Sequence, residues 1–219
     1  MTVQIGPAFL QEVRGKVVID YGCGEGTHTV ELARAGARLA VGLDIREEQL
    51  ERARIAAKAA DVAETCRFAT ATSVLADYVV SLDSFEHFQN PEAELLRMYD
   101  LLTPNGVLMI SFGPTWYHPL GGHLFSVFPW AHLVFSEKAL LRWRSDIRDD
   151  GATRFSEVSG GLNQISIQRF RRLLRKTPFR IETIDYVPIR KLRCLHNQLT
   201  RECTTAVVRA RLRRTDTAA

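Results

Sequence analysis

Short apolar runs alternate with helix-patterned stretches through the first half of the chain. Lys16–Asp20 (KVVID), Leu39–Leu43, Cys66–Ala69, Tyr78–Leu82 (YVVSL) and Val107–Phe112 are apolar and rich in β-branched residues, without polar alternation. A strand with that pattern is buried on both faces, as in a parallel sheet covered by helices. Between these runs, Thr27–Ala35 and the Ala-, Glu- and Arg-rich Arg46–Ala60 have helical composition, and Gly36 stands where a C-cap glycine often sits. Asn90-Pro91-Glu92 opens a further helix with an N-cap, a proline at its first position and an acid in its first turn. Leu95, Met98, Tyr99 and Leu102 then share one face, and Pro104-Asn105-Gly106 turns the chain into the fifth strand. This alternation predicts an α/β fold built on a parallel sheet.

After Phe112 the pattern changes. Residues 113–135 are aromatic, rich in histidine and full of turn formers. Glu137–Arg144 reads as a helix and 145–161 as a polar loop. Ser166–Lys176 is a clearer helix, with Ser166 as its cap, Ile165 stapled onto Phe170, and Leu173 and Leu174 continuing the apolar face. Phe179–Val187 and Thr204–Arg211 alternate charged and apolar positions, as antiparallel strands near a sheet edge do.

Composition adds mainly exclusions. The 219 residues, 46% hydrophobic and 25% charged with 14 Gly and 8 Pro, are ordinary globular usage, which argues against a disordered, collagen-like or coiled-coil chain. One domain is expected over residues 1–219: a core at 16–112, a cap inserted at 113–165, and a closing helix and strands at 166–219. Charge is uneven: residues 1–168 hold 15 Lys and Arg against 21 Asp and Glu, whereas residues 169–214 hold 14 against 3. From Leu101 to Ser136 no Asp, Glu, Lys or Arg occurs, yet Pro104, Pro114, Pro119 and Pro129 interrupt the stretch, so it does not read as a membrane span. The first residues lack the pattern of a signal peptide. Cys23, Cys66, Cys194 and Cys203 form no CxxC pair, and the expectation is reduced thiols in a cytoplasmic protein.

The most informative segment is VVIDYGCGEG, Val17 to Gly26. An acid ends a buried strand, and Gly22, Gly24 and Gly26 then alternate before a helix. Such glycines let the backbone turn sharply and approach a ligand at the helix N-terminus. Asp44 closes the second strand, where a carboxylate can accept both hydrogen bonds of a ribose diol. The ligand is a dinucleotide or an adenosyl group without phosphate. A dinucleotide fingerprint would need glycine where Thr27 stands, and the acid at Asp20 suits a cationic ligand better than a pyrophosphate. Both details favour S-adenosylmethionine.

At these residues the chain resembles the class I S-adenosylmethionine-dependent methyltransferases. DYGCGEGTHTVELARAGA is similar to their first motif, GLD ending at Asp44 to the ribose-binding acid, DYVVSLDSFEHFQNP to the fourth-strand motif, and LLRMYDLLTPNGVLMIS to the segment that follows. The resemblance spans Val17–Phe112. It implies a Rossmann-like, mostly parallel seven-stranded sheet with helices on both faces and the last strand antiparallel. It further implies that Asp20 and the backbone of Gly22, Cys23 and Gly24 face the methionine end, Asp44 the ribose and Ile45 the adenine, and that backbone near Ser81 and Leu82 holds the amino-acid moiety. The family usually carries an acid for the adenine amine after the third strand. This chain has none at Ala71-Thr72, and Thr72 or Ser73 is left to supply a weaker contact.

Each site residue has a plainer reading. Asp44 caps the next helix, with Glu47 completing a capping box, or binds ribose; Asp20 braces the loop or serves the ligand. His87, following Glu86 beyond the fourth strand, is a general base or a loop-orienting histidine. His123 is a second candidate for base or acceptor contact. His118, His123 and His132 have no metal-ligand spacing, so no metal is expected. Trp116 and Tyr117 wall an acceptor pocket or pad the core. The expected reaction is methyl transfer to a small, partly hydrophobic acceptor. Its alternatives are an RNA methyltransferase using the basic segment that includes Arg169, Arg171, Arg172 and Arg175, and a cofactor-binding subunit without transferase activity.

Overall fold

Each apolar run of the first half forms a strand of one sheet. The computed structural model describes residues 5–6, 8–125, 128–146, 153–157 and 161–215. A short helix α1 (Phe9–Glu12) precedes β1 (Val17–Tyr21), α2 (Thr27–Arg34), β2 (Leu39–Leu43), α3 (Glu47–Ala59), β3 (Cys66–Ala69), β4 (Ala76–Leu82), α4 (Pro91–Asp100) and β5 (Leu102–Phe112). Then come α5 (Ala131–Val134), α6 (Glu137–Ser145), α7 (Ile167–Leu174), β6 (Phe179–Pro188), α8 (Arg201–Thr204) and β7 (Thr205–Arg214). The strand order is β3-β2-β1-β4-β5-β7-β6. β1 to β5 pair in parallel, and β7 lies antiparallel between β5 and β6. This is the Rossmann-like sheet that the motifs imply.

Burial explains why these runs lack polar alternation. Successive strand residues point to opposite faces, and here both faces are covered. Val18, Val80 and Met109 pack with Phe9, Val30, Leu32 and Ala57 on the side of α1, α2 and α3. Ile19, Val79 and Ile110 pack with Leu95, Met98, Phe170 and Leu173 on the side of α4 and α7. A third, separate cluster of Phe125, Ala131, Leu140, Leu141, Phe155 and Leu162 sits within 113–165.

Helix starts follow their signals: the Asn90 side chain accepts from the Ala93 N–H, and Ser166 Oγ from the Arg169 N–H, as N-caps do. Ile165 and Phe170 are buried in one cluster, as a staple requires. The fifth strand differs from expectation. It starts at Leu102, which pairs with Ala76, and the next pair is Tyr78 with Val107. Pro104-Asn105-Gly106 therefore bulges out within the strand, with Asn105 at φ 63°, and the turn formers interrupt the ladder without ending it.

Phe170 closes the core beneath β4 and β5. It is fully buried and packs edge-on against Phe85 (5.4 Å) and Phe112 (4.9 Å). Phe170→Ala is expected to cost about 3–5 kcal/mol of stability, read as a lower urea midpoint; an unchanged midpoint would contradict this packing.

Candidate functional site

Strand order reverses between β1 and β4, so the chain leaving β1 turns one way and the chain leaving β4 the other. Open α/β sheets bind ligands in the crevice this creates at the carboxyl ends of the strands. The glycine segment enters it from β1. The Gly22 and Cys23 N–H groups donate to the Leu43 carbonyl at 2.8 and 2.9 Å, pinning the turn to the end of β2. Gly26, at φ 77°, starts α2, and a Cβ there would lie 2.6 Å from the Cβ of Ala53, so only glycine lets α2 sit this close to α3. Gly24, at φ 52°, differs: a Cβ there would meet nothing within 4 Å. The turn is thus packed behind and open in front, a cradle for a ligand.

Asp44 joins this turn to β2. Its Oδ2 accepts from the Gly24 N–H at 3.0 Å, and its Oδ1 from the backbone N–H and the Nε of Arg46 at 3.0 and 3.1 Å. Burial alone would raise its pKa. The bonds from Arg46, and then from Gly24, outweigh burial and hold the carboxyl below its usual range, so it is ionised. Asp44 is not the cap of α3. That position belongs to Arg46, whose side chain makes no capping bond, and the expected capping box does not form. Ile45 follows with 91% of its surface exposed, an apolar side chain held out beside the carboxylate.

Asp20 is buried and accepts from Thr29 Oγ1 at 2.7 Å. Burial raises its pKa against the pull of that bond, and the contact ties β1 to α2 as the bracing reading requires. Burial, then the charges of Asp20 and Asp44, push the Cys23 thiol up, so it is a neutral group here. Ser81 and Leu82 are buried at the end of β4, and Ser81 Oγ lies 2.9 Å from Ser84 Oγ. Thr72 Oγ1 accepts from the Val74 N–H at 3.1 Å, a local turn contact that leaves its hydroxyl proton available. The donors and acceptors fit the cofactor that the motifs imply: an ionised acid, an apolar face beside it and an open backbone cradle.

Beyond β4 a second group gathers. Glu86 is buried, and its Oε1 accepts from the Gly113 N–H while Oε2 has no hydrogen-bond partner among the described residues. Burial pushes its carboxyl up to about 8. With Pro114, Trp116, Gly121, His123, Leu162, Gln164 and Ile165 it lines a narrow cavity of about 10 Å³, roughly room for one water. His123 Nε2 is likewise buried without a hydrogen-bond partner among the described residues, and burial, then the neighbouring His87, push the ring down to about 4. The two histidine rings meet edge-on at 5.6 Å. His87 Nδ1 lies 2.9 Å from the Gly161 carbonyl, so Nδ1 donates there and the ring turns its Nε2 away from that bond.

Of the residues singled out in the sequence, His87 and His123 meet ring to ring, and Trp116 lines the same cavity as His123. Sequence reasoning did not single out Glu86 or Asn163. Asn163 donates from Nδ2 to the carbonyls of Phe85 and Phe88 at 2.8 and 3.0 Å, and its N–H donates to that of Glu86. The acid inside FEHF was the available signal; nothing local marked Asn163. Tyr117 departs from its expected place. Its side chain is 43% exposed and off the cavity, while its carbonyl accepts from Trp130 Nε1. His118 and His132 bind the Leu120 N–H and the Trp116 carbonyl.

Part of the basic closing segment is spent on the fold, whereas Arg171, Arg172 and Arg175 are exposed. Arg211 and Arg213 pair with Glu182, Arg211 also with Glu12, and Arg214 donates to the carbonyls of Tyr99 and Leu102. Arg169 donates to the Asn163 carbonyl. A nucleic-acid surface therefore has fewer free cations than the charge count suggests.

Comparisons with known proteins agree with this layout. A family model for a methyltransferase domain matches residues 5–184. A ubiquinone biosynthesis O-methyltransferase of Neisseria meningitidis serogroup C is 34% identical over 107 residues, covering 46% of this chain and 45% of that protein. The chain thus spans less than half the length of this curated relative. Among solved structures, magnesium protoporphyrin IX methyltransferase from Synechocystis PCC 6803 with bound SAH is 20% identical, with a TM-score of 0.58, covering 93% of this chain and 75% of that one. The [4+2]-cyclase SpnF is 14% identical, with a TM-score of 0.62 and coverages of 94% and 78%. These likenesses show a shared fold. With most of its length under the family model, and with the sheet order and glycine turn described above, the chain belongs to the methyltransferase-domain family, the class I S-adenosylmethionine-dependent methyltransferases.

Proposed function

We propose that the protein transfers a methyl group from S-adenosylmethionine to a hydroxyl of a small, partly hydrophobic acceptor. The observation that carries this reading is the ionised Asp44 bonded to an otherwise open glycine cradle. The hydroxyl as accepting group follows the naming of the curated relatives as O-methyltransferases. When bound, the cofactor supplies a methyl on a cationic sulfur that leaves as a neutral thioether, so no acid is needed on the leaving side.

The residues divide the remaining tasks. Asp44 would accept from the ribose and Ile45 would cover the adenine, with Thr72 offering a hydroxyl to it. The Gly22–Gly24 backbone, Ser81 and Leu82 would hold the amino-acid end, with Asp20 bracing the turn through Thr29. Segment 113–165 acts as a cap on the acceptor side, with Trp116 in it. His87 is the better base: its Nδ1 is committed to the Gly161 carbonyl and its Nε2 is free to take the hydroxyl proton. His123, held near 4, stays neutral and is a weak proton acceptor at neutral pH, so it positions the acceptor. Glu86, held near 8, is mostly protonated and can donate to an acceptor oxygen. Aligning the hydroxyl with the methyl in a water-poor cavity is then the main catalytic contribution. The four thiols are unpaired and no described helix is long and apolar enough to cross a membrane, which supports a cytoplasmic setting.

Isothermal titration with S-adenosylmethionine tests the cofactor reading. Asp44→Ala is expected to bind at least about tenfold more weakly, since a hydrogen bond to a charged group is worth about 1.5–3 kcal/mol. No heat with the parent chain sinks the reading. A labelled-methyl assay over extract fractions then separates the alternatives. Label in small molecules supports transfer, label in RNA supports the basic-face reading, and binding without transfer supports a non-catalytic subunit.

Glu86 gives a pH signature. Its carboxyl titrates near 4.5 when unfolded and near 8 when folded, so the folded state holds the extra proton between those values. Stability contributed by the group is full below pH 4.5 and is lost as pH rises to about 8, at no more than about 1.4 kcal/mol per pH unit. Glu86→Gln is expected to flatten that fall in urea titrations at a series of pH values. Parallel curves for the two chains would contradict it.

A further inference from the structure

Apolar side chains left open to solvent concentrate in one part of the molecule. Of fifteen large hydrophobic residues exposed among the described residues, eight lie between Tyr117 and Trp143. Three of them are joined ring to ring: Phe128 meets Phe135 edge-on at 5.7 Å, and Phe135 meets Trp143 at 5.4 Å. Phe135 and Trp143 line an open groove on α6 with Lys138, Arg142 and Asp146. Single exposed apolar residues are ordinary on a protein surface, whereas a connected strip with a polar rim marks a contact site.

The strip is tied to the cavity wall. Trp130 Nε1 donates to the Tyr117 carbonyl at 3.0 Å, and His132 Nε2 to the Trp116 carbonyl at 2.6 Å. Trp116 in turn lines the cavity beside Glu86 and His123.

We propose that this aromatic strip docks on the surface of an anionic lipid bilayer. Charge complementarity favours that occupant over another protein. No acid occurs from Leu101 to Ser136, and in the groove the cations Lys138 and Arg142 outnumber its one lining acid, Asp146, while the neighbouring Glu137 accepts from the Phe155 N–H. Tryptophan and phenylalanine beside lysine and arginine are the chemistry of the headgroup boundary, where rings enter the acyl edge and cations meet anionic phosphates. Such docking lies on the membrane and needs no spanning helix. Delivery of a hydrophobic acceptor from the bilayer to the enzyme rests on the methyl-transfer reading; the docking itself does not.

Sedimentation of the full chain with vesicles tests the proposal, using phosphatidylcholine alone and phosphatidylcholine mixed with phosphatidylglycerol. The chain is expected to sediment with the anionic vesicles and to be released by salt. The double variant Phe135→Ala/Trp143→Ala is expected to lower partitioning at least about tenfold, and Lys138→Glu/Arg142→Glu by about tenfold with loss of the salt dependence. Titration with S-adenosylmethionine, unchanged in both variants, shows that they remain folded. Three outcomes overturn the proposal: no sedimentation with either vesicle, equal partitioning of parent and variants, or a concentration-dependent dimer that Trp143→Ala dissociates. Vesicle binding without any cofactor binding by the parent chain would leave docking standing and remove the methyl-transfer reading alone.

Discussion

Asp44 ties the second strand to the glycine turn, and the arrangement of the crevice follows from that contact. Its two oxygens are shared between the Gly24 N–H on one side and Arg46 on the other. The same turn is held from behind by the Leu43 carbonyl, which takes the Gly22 and Cys23 N–H groups. The glycine backbone is therefore fixed where it faces the reversal of strand order, without a side chain filling the space in front of Gly24. A carboxylate kept ionised at that point is costly to bury unless charged and backbone donors surround it, and Arg46 and Gly24 are those donors. The site is thus preorganised by the backbone bonds that shape the turn.

The far side of the crevice has the opposite electrostatic character. Glu86 is held toward neutrality by burial, and His123 is held neutral by burial and by His87. The cradle end is charged and the cavity end is not, which suits a cationic cofactor meeting an uncharged, partly apolar acceptor. Asn163 ties the turn after β4 to the segment above it, since its side chain holds the Phe85 and Phe88 carbonyls and its N–H donates to the Glu86 carbonyl.

The strands, the glycine turn and Asp44 were legible because their signals are local: unbroken apolar runs, glycines at fixed spacing, and an acid ending a strand. The ionic partners of Asp44 were less so, because Arg46 could equally have faced solvent. Glu86 was hidden because nothing local marks its side chain as buried, and its backbone partner Asn163 is 77 positions away in sequence and adjacent in space. The start of β5 at Leu102 was missed because Pro104, Asn105 and Gly106 are turn formers; their bulge interrupts pairing between Ala76 and Tyr78 without ending the strand. The arginines of the closing segment were visible as charge, but their partners Glu182 and Glu12 lie on other elements. Tyr117 was placed near the site by its position after β5, whereas the turn there sends Trp116 inward and Tyr117 out.

The central claim is that the Asp44-anchored glycine turn and the end of β4 hold S-adenosylmethionine. Amide hydrogen exchange with and without the cofactor measures this most directly, because it reads the backbone segment by segment. The account predicts added protection confined to Asp20–Gly26, Asp44–Arg46 and Ser81–His87. Protection elsewhere with these segments unchanged, or no change along the chain at saturating cofactor, would contradict it.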